Sequence, residues 1–206
     1  AVLTPDGEKL YVANFGTKNI MVINTWNKRV EKVLPLRPLH ATAPAVSQDG
    51  SKAYIPSVNG GLYVINTSDD SYQYIFVPNV IFGPVAPSPS NSNLLYVVGK
   101  LINPPGSNTF QSTFFTFNIS NNTVVRSFKL ANEILPPDTF ARRLVINSSE
   151  TLAYFGWMEM KGQSGDRGIG DFIVFDLNTF KVLTSVPIEN ALPTSLLARK
   201  RTKYTL

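Results

Sequence analysis

The sequence predicts an all-β fold, a β-propeller of four-stranded antiparallel blades with about four blades and the start of a fifth. Three observations predict it. A single order of motifs recurs along the chain. The motifs are short segments rich in β-branched and aromatic residues, with turn residues between them. Long runs of alanine, leucine, glutamate and lysine, which favour helices, are missing. A β-sandwich would have similar strands, but nothing in it would repeat one motif order.

Each repeat begins with a turn that leads into a strand containing a tyrosine. In the first two copies the turn is Asp6-Gly7 and Asp49-Gly50, and Asp-Gly is a strong hairpin signal. The four copies are Leu3–Asn14, Val46–Pro56, Pro87–Val98 and Val145–Phe155. Their aligned tyrosines, Tyr11, Tyr54, Tyr96 and Tyr154, are separated by 43, 42 and 58 residues. Intervals of this size are typical of propeller blades, and the longest one contains inserted residues.

Two further strand motifs follow each tyrosine strand, and one short strand precedes it, so that every repeat holds four strands. The first of these motifs occurs at Ile20–Thr25, Leu62–Thr67, Phe114–Ile119 and Phe172–Leu177. The second occurs at Val30–Pro35, Tyr72–Pro78, Val124–Leu130 and Val182–Pro187. We therefore expect a single, partial propeller domain over residues 1–206. Its approximate blades are 1–38, 39–81, 82–135 and 136–190, with the start of the next at 191–206.

An open arc is expected rather than a closed ring. The chain starts inside an innermost strand, and Ser195–Ala198 and Thr202–Leu206 look like the first two strands of a fifth unit. Those strands are not needed to complete the first unit, which favours a piece of a larger propeller. The ends of such an arc would expose an apolar blade face and unpaired strand edges to water. These features predict association through the open edges.

The residues Pro5–Asn14 followed by Ile20–Thr25 resemble the YVTN-type propeller repeat. That repeat occurs in surface-layer and secreted proteins of archaea and bacteria. The repeats are also similar to those of lactonase-type seven-bladed propellers and of the propeller subunits of amine dehydrogenases. The resemblance implies the propeller fold, an extracellular or cell-surface location and a functional site on one face. It specifies the fold far better than the function.

Charge and composition exclude several classes of function. The net charge is +5, but Arg199, Lys200, Arg201 and Lys203 supply four of these charges, which leaves +1 over residues 1–198. A nucleic-acid surface needs basic residues spread over a face, so no nucleic-acid partner is expected. The chain has no cysteine, which excludes disulfides, thiolate catalysis and cysteine-ligated metals. No apolar stretch approaches the roughly 20 residues of a transmembrane helix, so no transmembrane segment is predicted.

Candidate ligand-binding residues lie where the repeat is interrupted. Links between second and third strands share one face of a propeller with the links between blades. The third and fourth repeats lengthen their second-to-third link, at 99–109 and 157–170. Binding residues are commonly carried by loops on a rigid scaffold, with aromatic and arginine side chains as anchors. The candidates on this face are Arg37, His40, Trp157 and Arg167.

No catalytic residue, metal site or cofactor is predicted. His40 is the only histidine in the chain, and no neighbouring nucleophile or carboxylate would let it act as a general base. The loop Gly165–Asp171 resembles a phosphate or calcium loop, but it leads into a strand rather than a helix and has too few oxygen ligands. A flexible hairpin tip is the better interpretation of that loop.

Four Asn-x-Ser/Thr sequons, at Asn66, Asn118, Asn121 and Asn147, lie in predicted turns, where a glycan has room. Chance predicts nearly as many in a chain with this content of asparagine, serine and threonine. Asparagine also suits turns without any glycan. The four residues are therefore candidate glycosylation sites that are compatible with an extracellular location.

Two functions are open at this point. The first is a non-catalytic scaffold or recognition module of a surface or secreted protein, which binds a protein or carbohydrate partner through its loops. The second is a fragment or subunit of a propeller enzyme, either a lactonase-like hydrolase or an amine-dehydrogenase-like electron-transfer subunit. Only Arg37, His40, Asp138, Arg142 and Arg143 lie near the links that such an enzyme would use. Inner-strand carboxylates converging on the axis would favour the enzyme, and an apolar axis would favour the scaffold, which is the preferred hypothesis.

Overall fold

The computed structural model describes residues 1–14, 17–35, 43–57, 61–102, 110–130, 140–159 and 169–189. These residues form seventeen β-strands and no helix, and the strands are arranged in four antiparallel sheets. The prediction of an all-β fold with four-stranded antiparallel blades is therefore confirmed. None of the described residues belongs to a helix that could cross a membrane. The predicted start of a further unit, at 191–206, lies outside them.

The four sheets follow one another along the chain and are called sheets one to four. Sheet one holds β1 (Val2–Leu3), β2 (Lys9–Asn14), β3 (Asn19–Asn24) and β4 (Arg29–Pro35). Sheet two holds β5 (Ala45–Val46), β6 (Lys52–Ser57), β7 (Gly61–Asn66) and β8 (Tyr72–Phe76). Sheet three holds β9 (Val80–Ile81), β10 (Val85–Pro87), β11 (Leu94–Ile102), β12 (Phe110–Asn118) and β13 (Thr123–Lys129). Sheet four holds β14 (Phe140–Ile146), β15 (Leu152–Glu159), β16 (Ile169–Asp176) and β17 (Lys181–Glu189).

Within each sheet the strands pair in chain order, as short turns between antiparallel strands require. The repeat tyrosine always lies in the tyrosine strand that the sequence predicts. It stands opposite Val22, Val64, Thr116 and Val174 in the four sheets. Sheet three has one addition, because Val80 and Ile81 pair with Leu101 and Lys100 at the far end of β11. The sequence placed Val80 and Ile81 at the end of the second blade.

The Asp-Gly turns form as their residues dictate. The Asp6 carboxylate accepts a hydrogen bond from the Glu8 N–H at 2.9 Å, which fixes the turn locally. Gly7 and Gly50 have φ of 78° and 74°, a conformation that glycine adopts without steric cost. Glu150 occupies the same place in sheet four with φ of 53°. A residue with a side chain is sterically strained at such a positive φ, so other contacts of Glu150 must offset this strain.

Hydrophobic side chains fill the space between neighbouring sheets. The core between sheets one and two buries Tyr11, Ile20, Val22, Leu34, Ala53, Ile55, Tyr63 and Ile65. The core between sheets two and three includes Tyr54, Leu62, Ile75, Phe82, Val97, Phe115 and Phe117. The core between sheets three and four includes Tyr96, Phe114, Leu144, Phe155, Ile173, Phe175 and Phe180. Across the described ranges there is no comparable core between sheets four and one.

The repeat tyrosines also hydrogen-bond across the sheet interfaces. Tyr11 donates to the Asp70 carboxylate of sheet two at 2.6 Å. Tyr54 donates to the Ser92 carbonyl of sheet three at 3.5 Å, and Tyr96 donates to the Glu150 carboxylate of sheet four at 3.0 Å. Each tyrosine therefore buries its ring in one interface and ties its sheet to the next.

The outer faces of sheets one and four are less covered than the inner ones. Val33 on sheet one is 51% exposed, and Val186 on sheet four is 50% exposed. Tyr154 stacks on Phe172 of its own sheet at 6.4 Å between ring centroids, and no described residue accepts a hydrogen bond from its hydroxyl. Both end faces are thus apolar and partly open to water in the described part of the chain.

Candidate functional site

The strand order places the connections on two opposite faces of the arc. Links between second and third strands, and links between sheets, lie on one face, which we call the loop face. Links between first and second and between third and fourth strands lie on the other, the turn face. The short turns described above, at Asp6-Gly7 and Asp49-Gly50, belong to the turn face.

The sequence predicted four ligand-binding residues for the loop face. Arg37, His40 and Arg167 lie outside the described residues. Trp157 lies in β15, where its backbone is opposite Ala141 and Asp171, and its side chain is outside the description. The structure therefore places one of the four candidates, by its backbone alone.

The lengthened links begin as extensions of strands rather than as loops. In sheets one and two, the second and third strands have six residues each, whereas β11 and β12 have nine and β15 and β16 have eight. The sequence assigned 99–109 and 157–170 to insertions, but Gly99–Ile102 and Trp157–Glu159 continue the ladders. Gly99 permits this, because a Cβ there would overlap the Ile81 carbonyl oxygen of β9.

The first strands of all four sheets line a shared cavity, which we call the axial cleft. Its volume is about 390 Å³, and it is lined by Ala1–Leu3, Ala43–Ala45, Val85–Pro87 and Arg143–Ile146. Arg143 is the one charged side chain among these lining residues. The lining includes Ala1–Leu3 of sheet one and Arg143–Ile146 of sheet four, so these two sheets face each other across the cleft.

The described lining of the axial cleft includes no aspartate, glutamate or histidine, the side chains that most often act as general acids and bases. Three of the residues named for the enzyme hypothesis lie close together in the sequence. Arg143 lines the cleft, and Arg142 lies in β14, where only its backbone is described. Asp138 lies outside the described residues. No group of three metal-ligating His, Cys, Asp or Glu side chains occurs among the residues that the structure describes.

The turn face holds the charged contacts that sequence reasoning missed. Ser88, Ser90 and Tyr96 of sheet three all donate hydrogen bonds to the Glu150 carboxylate of sheet four. Burial alone would raise the pKa of Glu150, but these hydrogen bonds outweigh it and hold the pKa below its ordinary value. Burial, then the hydrogen bond to Glu150, raises the pKa of Tyr96. The signal in the sequence was Glu150 itself, a charged residue at the place of a turn glycine.

A second charged cluster joins sheets one and two on the same face. The Lys9 ammonium lies 3.1 Å from the Asp70 carboxylate and donates to the Thr67 carbonyl at 2.7 Å. Burial, then the hydrogen bond to Asp70, raises the pKa of Tyr11. At the interface between sheets two and three, burial and the charge of Asp49 raise the pKa of Tyr54 to about 12. All three buried tyrosines therefore stay neutral donors at physiological pH.

The sequon asparagines also lie on the turn face, where each one closes a turn. The Asn66 and Asn118 side-chain oxygens accept the N–H groups of Ser68 and Ser120. The Asn121 oxygen accepts the Thr123 hydroxyl, and the Asn147 oxygen accepts the Thr151 and Leu152 N–H groups. Asparagine side chains commonly make such local turns, which accounts for these residues without a glycan.

The four-sheet arc and its axial cleft define a β-propeller-like fold. No family model matches the chain, and no curated protein matches it. Among solved structures it is similar to the hydrazine synthase of Kuenenia stuttgartiensis, with 16% sequence identity and a TM-score of 0.66. The match covers 91% of this chain and 48% of that one, so the chain spans about half the length of this neighbour. At this identity the likeness shows the fold alone.

Proposed function

We propose that this chain is a non-catalytic propeller scaffold of a surface or secreted protein, which recognises a protein or carbohydrate partner through its loop face. The axial cleft carries this proposal. The side chains of its described lining are apolar apart from Arg143, and no carboxylate is among them, whereas an enzyme of this architecture would use converging carboxylates. An apolar axis with one arginine suits positioning of a partner better than bond breaking.

The shape of the loop face supports the same function. The second and third strands of sheets three and four run two or three residues further than those of sheets one and two, so the paired backbone at Ile102 and Trp157 extends beyond the shorter sheets. Rigid presentation reduces the ordering cost of binding, which is why recognition surfaces are often built in this way.

The alternative function is a fragment or subunit of a propeller enzyme. The structural neighbour is named as an enzyme, hydrazine synthase, but the 16% identity extends no activity to this chain. A lactonase-like hydrolase would need an acid–base group near the axis, where the described lining offers Arg143 alone. The two functions are therefore separable by experiment.

The test combines binding and activity measurements on the full chain. Arrays of cell-surface glycans and extracellular proteins identify the partner, and its affinity is then measured for Trp157→Ala and Arg167→Ala. Both variants should bind at least about tenfold more weakly, as expected for interface anchors. Arg29→Ala, an exposed substitution on the turn face, is the matched control and should bind like the parent.

Two results would overturn this function. One is unchanged affinity of both loop-face variants for the partner. The other is hydrolysis of a lactone panel by the parent chain together with loss of that activity in Arg143→Ala, since this would assign chemistry to the axial cleft.

A further inference from the structure

The three sheet interfaces differ at the turn face. Between sheets one and two, Lys9, Tyr11 and Asp70 close the interface with an ion pair and hydrogen bonds. Between sheets three and four, Glu150 closes it by accepting three side-chain hydrogen bonds. Between sheets two and three the interface stays open instead, with a cleft of about 620 Å³. We call it the interblade cleft, and its polar lining includes Lys52, Asn66, Ser71, Gln73, Asn93 and Ser120.

Lys52 is the counterpart of Lys9 in the next repeat. Each lysine is the first residue of the tyrosine strand, and each stands opposite the last residue of the third strand, Asn24 or Asn66. The Lys9 ammonium binds the Asp70 carboxylate through both oxygens at 3.1 Å. Within the described residues, the Lys52 ammonium has no hydrogen-bond or ion-pair partner. One repeat therefore satisfies this lysine with a carboxylate, and the next does not.

The missing carboxylate can be traced to one position. Asp70 and Asn122 occupy the same place in the turn between third and fourth strands, with φ of 57° and 58°. Asp70 is 8% exposed and inserted between its sheets, whereas Asn122 is neutral and exposed to solvent. Ile119, the counterpart of Thr67, forms part of the cleft wall. The cleft thus retains the lysine and the wall of the closed interface but lacks its anion.

We infer that the interblade cleft binds an acidic sugar, whose carboxylate takes at Lys52 the place that Asp70 takes at Lys9. Lys52 is the single charged side chain among the described lining residues, so the cleft favours a ligand with a negative group at that end. The closed interface between sheets one and two shows the pairing that this ligand would reproduce.

The rest of the lining selects a sugar over a simple anion. The amides of Gln73 and Asn93 are exposed in the cleft and match ligand hydroxyl groups as donors and acceptors. A volume of about 620 Å³ is that of a site for a small organic ligand, so an inorganic anion would leave most of it unfilled. This site is on the turn face, so its ligand is independent of the function proposed for the loop face.

The test measures binding of trigalacturonate to the full chain by titration calorimetry at low ionic strength, with neutral galactotriose as the comparison. Trigalacturonate should bind at least about tenfold more tightly than galactotriose, because a charge-assisted hydrogen bond to Lys52 is available to it alone. Lys52→Met, which keeps the alkyl chain, should lose this preference. Lys28→Met, at an exposed position on the same face, should keep it.

A second variant tests the origin of the site. Asn122→Asp restores the carboxylate of the closed interface, so it should compete with the ligand and weaken trigalacturonate binding at least about fivefold, while raising the thermal midpoint. Unchanged affinity in Lys52→Met or Asn122→Asp would overturn the inference, as would equal affinity for the acidic and neutral sugars. Equally tight binding of a tetraglutamate peptide would also overturn it, because the site would then select an acidic peptide rather than a sugar.

Discussion

Removal of the Asp70 side chain should weaken the interface between sheets one and two and so destabilise the fold. Asp70 is 8% exposed, and it accepts hydrogen bonds from the fully buried Tyr11 hydroxyl and from the Lys9 ammonium. Asp70→Ala leaves that hydroxyl without an acceptor inside the core, which costs about 1–3 kcal/mol. It also removes an ion pair whose side chains are 23% and 10% exposed.

The expected loss of unfolding free energy for Asp70→Ala is about 3 kcal/mol. The larger part, about 2 kcal/mol, comes from the buried Tyr11 hydroxyl that loses its acceptor. Loss of the ion pair adds only about 1 kcal/mol, because Lys9 is partly hydrated and keeps its hydrogen bond to the Thr67 carbonyl. Tyr11→Phe alone should cost about 1.5 kcal/mol, since Asp70 then still binds Lys9. The double variant, Tyr11→Phe with Asp70→Ala, has no buried hydroxyl without an acceptor. The two substitutions should therefore show a coupling free energy of about 2 kcal/mol in a double-mutant cycle.

The assay is equilibrium unfolding in guanidinium chloride, followed by circular dichroism, for the parent, both single variants and the double variant. Asp69→Asn is the control, because it removes a charge from the same turn and keeps the oxygen that accepts the Ser71 N–H. It should change the unfolding free energy little. The reasoning would be refuted if Asp70→Ala cost no more than Asp69→Asn, or if the effects of Asp70→Ala and Tyr11→Phe were additive within about 0.5 kcal/mol.

Three further predictions are tested by guanidinium chloride or thermal unfolding. Tyr96→Phe should lower the free energy of unfolding by about 1 kcal/mol, because it removes a hydrogen bond to Glu150. Tyr154→Phe should lower it by less than half as much. Equal losses in the two variants would contradict the role assigned to the tyrosines. The pKa of Glu150 lies below the ordinary value of 4.5, so its stabilising effect is complete above pH 4.5 and is lost as the pH falls through the lowered pKa. The thermal midpoint should therefore drop less in Glu150→Gln than in the parent between pH 6 and pH 3, and parallel curves would disprove this. Gly99→Ala should lower the free energy of unfolding by at least about 2 kcal/mol, because the new Cβ would overlap the Ile81 carbonyl oxygen. A thermal midpoint equal to that of the parent would contradict this prediction, because it would show that β9 shifts freely.

The strands could be predicted from the sequence because their signals are local. The tyrosine strand of each repeat and the two strands that follow it correspond to strands in the structure, and Asp6-Gly7 forms the expected tight turn. Ladder extension beyond the repeat could not be predicted in the same way. Whether Gly99–Ile102 continues a strand depends on pairing with β9 and β12, which are brought to it only by the fold.

The contacts between sheets were beyond sequence reasoning for a physical reason. Tyr11 and Asp70 are 59 residues apart, and Tyr96 and Glu150 are 54 apart, so no local pattern links them. Glu150 adopts a positive φ that a turn glycine would take without cost, and its hydrogen bonds across the interface offset that strain. The difference between Asp70 and Asn122, which leaves the interblade cleft open, becomes meaningful only after the repeats are superimposed in space.

The unequal strand lengths give the loop face a step. At about 3.3 Å per residue, the three extra residues of β11 rise about 10 Å above the level reached by β2, and the two extra residues of β15 rise about 7 Å. The described strand ends of sheets three and four therefore stand above those of sheets one and two. A partner bound as proposed above would reach the longer strands first and would have to tilt towards the shorter ones. The step would thus favour one rotation of that partner about the axis before any individual side chain contributed to recognition.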